Sequence, residues 1–256
     1  FYVNKIGSTK IKAISRKTGD SAECVINIEG YGGEIEFEKD NQIIKDLTIN
    51  LADYNENEAV DIVKGSVKGG LSEKYESIKY KSGDNNIVEV NETTGKLIVK
   101  RAGTVTITAD ASPKDEYAYL ENAVGTYTIV VKPVELSLKI ENIITNKQFQ
   151  TEENIGTFSD KSDLFEYNEN GSAIKFELPI KVLVNNNETE NVEITLNGQK
   201  VERLEDKYIF YGSDSIIRNE SVGFEITTKF DEEKYKNITE KFFLVISGDK
   251  SNNTNN

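Results

Sequence analysis

The chain has 256 residues, 37% hydrophobic and 29% charged, with 31 basic against 44 acidic side chains and a net charge of −13. A surface this acidic repels phosphate backbones and anionic lipid, which excludes nucleic acid as a partner. There is no His, no Trp and no Met, and one Cys, so the chain offers no histidine base, no zinc motif and no internal disulfide.

Strand patterns dominate from the first residues. Gly7-Ser8-Thr9-Lys10-Ile11-Lys12-Ala13 and Cys24-Val25-Ile26-Asn27-Ile28 are strand-like, and Cys24 reads as a small buried hydrophobe. Residues 71–78 hold one helical turn at most. Ser82-Gly83-Asp84-Asn85-Asn86 is a turn cluster. Lys96-Leu97-Ile98-Val99-Lys100 and Thr104-Val105-Thr106-Ile107-Thr108-Ala109 follow as strands, with Gly95 suited to a positive φ and Gly103 to a tight turn or bulge. Val105, Ile107 and Ala109 share parity and are expected to face a core, with Thr104, Thr106 and Thr108 facing solvent. Thr126-Tyr127-Thr128-Ile129-Val130-Val131 is a strand stopped by Pro133. Further on, Ile174-Lys175-Phe176-Glu177-Leu178, Val192-Glu193-Ile194-Thr195-Leu196 and Phe224-Glu225-Ile226-Thr227 alternate, and Asn197-Gly198 marks a two-residue hairpin turn. No apolar run approaches the ~20 residues that span a bilayer, so no membrane insertion is expected in this segment. The absence of Met marks the chain as processed or excised, with any signal or anchor outside it. Heavy use of Lys, Asn, Ile, Glu and Tyr suggests an AT-rich bacterial genome.

An internal repeat organises the chain. Gly7 to Ala13 align without a gap on Gly103 to Ala109, an offset close to the ~100 residues of an immunoglobulin sandwich. A third, looser copy places Phe224 to Thr228 on Val105 to Ala109 and ends in Lys241-Phe242-Phe243-Leu244-Val245-Ile246. The domains expected are therefore 1–30, the last strands of a preceding sandwich; 31–133, a complete sandwich; 134–248, a divergent second one; and 249–256, a polar tail. The fold class is all-β, tandem immunoglobulin-like β-sandwiches.

The run Tyr80-Lys81-Ser82-Gly83-Asp84-Asn85-Asn86-Ile87-Val88-Glu89-Val90-Asn91, then Thr94-Gly95-Lys96-Leu97-Ile98-Val99-Lys100-Arg101-Ala102-Gly103-Thr104-Val105-Thr106-Ile107-Thr108-Ala109, resembles the bacterial Ig-like group 2 family. The match is specific over about 30 residues. The family's Trp before the serine turn is replaced here, with Ile78 or Tyr80 expected in its place. The resemblance implies a non-enzymatic module of a bacterial surface or secreted protein, or a domain decorating a phage virion.

No nucleophile elbow, phosphate loop or zinc motif occurs, and the chain reads as non-enzymatic, with no catalytic residues. The acidic loops admit calcium as the one cofactor, with Asp84, Asp110, Asp115 and Asp231 as candidate ligands. None fits the calcium-loop consensus, and a solvated acidic loop is the plainer expectation. The leading function is a structural or adhesive stalk, extracellular or on the cell surface. Its partners would be a protein or glycan ligand and the flanking domains of a longer chain. The alternatives are a virion module, and a carbohydrate-binding accessory of a secreted hydrolase using Tyr117 and Tyr119. The link Val131-Lys132-Pro133-Val134-Glu135 contains no Gly or Ser and is expected to be stiff, giving a long axis of about 80 Å.

Overall fold

The computed structural model describes residues 5–159, 162–212 and 221–247; the expected tail 249–256 lies outside them. The chain divides into two compact units, 1–133 and 134–256. Among the described residues the elements are strands joined by turns and four short 3₁₀ turns, three of them at Lys68–Gly70, Ser72–Lys74 and Asp115–Tyr117. The helical turn expected within 71–78 is the second of these.

The first unit opens with β1 (Gly7–Ile14) and β2 (Ser21–Ile28), an antiparallel pair that forms a sheet of two strands. Then come β3 (Tyr31–Lys39), β4 (Gln42–Ile44), β5 (Asp46–Asn50), β6 (Ala59–Val60), β7 (Lys64–Val67), β8 (Lys79–Ser82), β9 (Val88–Val90), β10 (Leu97–Val99), β11 (Gly103–Ala111) and β12 (Leu120–Lys132). β3 divides its pairing. Its start runs parallel to β12 as far as Glu34, and its end pairs antiparallel with β7 from Ile35 to Glu38. A hairpin to β4 turns on Asp40 and Asn41, both at positive φ, which Asp and Asn tolerate better than most residues. β5 then takes over the parallel pairing with β12 from Thr128 to Lys132. β12 pairs with β11, β11 with β8, and β6-β10-β9 form a separate small sheet.

Between these sheets lies the core. Val105, Ile107 and Ala109 are at most 4% exposed, while Thr104, Thr106 and Thr108 are exposed, as the alternation predicts. Ile129 and Val131 of β12 face the same way, and Tyr127 meets Phe37 of β3 with ring centroids 4.5 Å apart. Gly103 and Gly95 take φ of 149° and 72°, a region that side-chain-bearing residues rarely adopt. Tyr80 packs between two glycines: a Cβ would lie 2.7 Å from its hydroxyl at Gly65 and 3.0 Å from its ring at Gly95.

The second unit contains β13 (Val134–Glu135), β14 (Leu138–Asn142), β15 (Lys147–Phe149), β16 (Asn154–Ser159), β17 (Phe165–Tyr167), β18 (Ala173–Leu178), β19 (Ile180–Val184), β20 (Asn187–Glu188), β21 (Val192–Leu196), β22 (Gln199–Lys200), β23 (Glu202–Leu204), β24 (Lys207–Tyr211), β25 (Ser221–Thr228), β26 (Tyr235–Lys236) and β27 (Thr239–Ser247). It repeats the path of the first unit. β14 ends in a hairpin to β15, and β16 then joins the closing strand β27 in parallel, as β5 joins β12. After the added strand β17, the path is broken in two, β18 and β19 around Pro179, as β6 and β7 are around residues 61–63. β25 and β27 close the unit, as β11 and β12 do. β21 flanks β25 as β8 flanks β11. Asn197 and Gly198 at φ 49° and 77° make the expected hairpin turn.

Phe176, Ile194, Phe224, Ile226 and Phe242 anchor this unit's core. Two buried polar residues are satisfied within it. Asn142 accepts from the N–H groups of Ile144 and Thr145 and donates to the Ile155 carbonyl at 2.9 Å. Thr228 pairs with Asn237 at 3.0 Å and accepts from the Ile238 N–H at 2.9 Å. Both units are immunoglobulin-like sandwiches, and the fold is all-β.

Candidate functional site

The four acidic candidates occupy separate positions, and three of them have local bonds. Asp84 accepts the Asn86 N–H at 2.8 Å and closes the turn after β8. Asp110 lies on β11 and accepts from Asn122 at 3.0 Å across the closing hairpin. Asp115 begins a 3₁₀ turn and is exposed. Asp231, in the second unit, accepts the Glu233 N–H at 3.0 Å. Among the described residues no three Asp, Glu or Cys side chains gather closely enough to hold a metal ion.

Tyr117 and Tyr119 do meet, in the loop between β11 and β12. Their ring centroids are 6.2 Å apart at 72°, edge to face, and both are half-buried. The Lys74 ammonium sits 5.8 Å from the centre of the Tyr117 ring. Residues 74–76 and 112–114 hold this end together: the Glu76 N–H donates to Ser112 at 2.8 Å and the Lys114 N–H to Lys74 at 3.0 Å.

Two grooves were not visible in the sequence. The first, of about 730 Å³, opens where β3 leaves β12 and β5 replaces it. Phe37, Ile43, Val124, Gly125 and Tyr127 are among its lining residues, and Ile43 and Val124 are exposed apolar side chains. Lys68 at its rim lies 3.1 Å from both Glu34 and Glu36, which hold its ammonium above the ordinary lysine range. Burial pushes the Tyr127 hydroxyl well above the usual tyrosine range. The second groove, of about 680 Å³, lies on the second unit. There Arg203 lies 2.6 Å from Glu190 and 5.8 Å from the centre of the Tyr208 ring, and burial raises the Tyr208 hydroxyl. Lys68 engages the carboxylates of Glu34 and Glu36 in the first groove, and Arg203 that of Glu190 in the second.

Cys24 is exposed, not buried as its strand pattern suggested. It sits on β1–β2, which among the described residues pair only with each other.

No family model matches the chain, and no curated protein does. Solved structures similar to it include protocadherin gamma B2 extracellular cadherin domains 1–5, at 11% identity and a TM-score of 0.28, covering 98% of this chain and 52% of that one. Mouse cadherin-23 EC22–24 is similar at 12% identity and a TM-score of 0.30, over 94% of this chain and 74% of that one. Drosophila N-cadherin EC1–4 is similar at 9% and 0.27, over 96% and 60%. The chain spans about half the length of the protocadherin fragment. No helix among the described residues is long and apolar enough to cross a membrane.

Proposed function

We propose that the chain is a non-enzymatic spacer, a stalk segment of a bacterial cell-surface or secreted protein that holds a binding or catalytic domain away from the envelope. The residues quoted above as resembling the bacterial Ig-like group 2 family favour that setting. The observation that carries the mechanical part is the junction. β12 ends at Lys132 and β13 begins at Val134, so Pro133 alone separates two strands. The Val134 N–H is already bonded to the Lys234 carbonyl at 2.9 Å. Proline fixes its own φ and restricts the residue before it, which leaves little slack at the joint. Any adhesive contact would use loop ends or sheet edges, which the acidic surface would bias toward protein or glycan partners rather than nucleic acid. Limited proteolysis tests the spacer at its junction. The stretch Val131 to Glu135 should stay intact while exposed loops are cut. Cleavage there ahead of the loops would overturn the reading.

A further inference from the structure

The hairpin β1–β2 is a sandwich face without a sandwich. Its register pairs Ile11 with Cys24, Thr9 with Ile26 and Gly7 with Ile28. Side chains alternate along paired strands, so Ile11, Ala13, Ala22, Cys24, Ile26 and Ile28 share one face. Lys10, Lys12 and Glu23 share the other, with both ammonium groups 3.9 Å from the carboxylate.

The same pattern recurs in β11–β12 with everything covered. Ile107 pairs with Tyr127, Val105 with Ile129 and Gly103 with Val131. Aligning Gly7 on Gly103 puts β1 on β11 residue for residue, and the two registers then put Cys24, Ile26 and Ile28 on Tyr127, Ile129 and Val131. In β11–β12 these positions are at most 4% exposed. In β1–β2, Cys24 is exposed and Ile11, Ile26 and Ile28 are only half-buried. The outer edges differ too. β11 is flanked by β8, and β12 by β3 and β5, whereas among the described residues β1 and β2 pair only with each other.

We infer that residues 7–28 are the closing hairpin of a third sandwich, and that a preceding segment of the same chain covers its apolar face. That segment supplies a facing sheet and strands along both outer edges, as residues 31–102 do for β11–β12. A second copy of this chain fits poorly. Both of its complete units already contain a closing hairpin, so it could offer only its own β1–β2. Stacking two such hairpins would leave four strand edges open. It would also bury six side chains a side, where a stable interface uses about 20–30 residues.

Cys24 is the probe. In the 1–256 protein it should react with a thiol reagent at nearly the rate of a small free thiol. In a protein lengthened by the gene's own upstream codons, where roughly 70 residues are expected before Phe1, the rate should fall about 100-fold and recover on urea unfolding. Unchanged labelling, with circular dichroism showing added strand content, overturns the inference. So does a gene that encodes too few residues there to complete a sandwich. Protection that appears in the 1–256 protein as its concentration rises also overturns it, in favour of a second copy. As a second readout, Ile26→Asp should lower the melting temperature of the lengthened protein and leave that of the 1–256 protein unchanged. Equal effects in both would contradict the inference.

Discussion

The hairpins β1–β2 and β11–β12 share an alternation and a register, yet one is exposed and the other forms the centre of a core. Pattern and pairing alone therefore do not bury a strand. Alternation fixes which side chains share a face, and cross-strand pairing holds the two strands together. Burial comes from the rest of the sandwich: Phe37 against Tyr127, β8 along one edge, and β3 and β5 along the other. An isolated two-stranded hairpin is marginal in water. The covered hairpin gains about 1.5–3 kcal/mol for each large apolar side chain removed from solvent.

Substitutions at matched positions can break this comparison. The largest effect is expected at Ile107, which is fully buried. Ile107→Asp places an unpaired charge between the sheets and should cost more than about 4 kcal/mol, unfolding the first sandwich. Urea unfolding followed by circular dichroism would show it as a lost or strongly shifted transition. Next is Gly125, whose counterpart in the first hairpin is Ala22 by register. A Cβ at 125 would collide with the Ile35 carbonyl oxygen. Gly125→Ala should therefore destabilise the unit by about 1–3 kcal/mol, read as a lower urea midpoint, because the backbone of β3 must shift. The smallest effects should come from Thr106→Asp and Ile11→Asp, each within about 0.5 kcal/mol. Thr106 faces solvent, and Ile11 lies on a hairpin that, among the described residues, pairs with no other strand. A cost at Thr106 equal to that at Ile107 would refute the assignment of faces.

Much of the fold was legible in the residues themselves. The Val105, Ile107, Ala109 alternation announced its buried side, Gly95 announced a positive φ, and Asn197-Gly198 announced a hairpin turn. Asp40-Asn41 and Asn185-Asn186 carried the same signal for further tight turns, and all four residues have positive φ. Cys24 was misread because strand chemistry reports a face and not what lies opposite it. The groove beside Gly125 was hidden for a related reason. It arises where β3 exchanges β12 for β7, a change of partner that no local pattern records. Asp84 and Asp231 were legible as turn residues, and each accepts a backbone N–H two residues on; Asp110 was not, since it lies within β11 and bonds across a hairpin.

Amide hydrogen exchange on the 1–256 protein tests the central comparison most directly, since both hairpins are read in one sample. The account predicts that amides of β11 and β12 open only with the whole sandwich and are protected by at least about 10⁴-fold. Amides of β1 and β2 should exchange within about tenfold of the rate for an unstructured chain. Equal protection in the two hairpins would contradict it, and would mean that residues 7–28 already have all the cover they need.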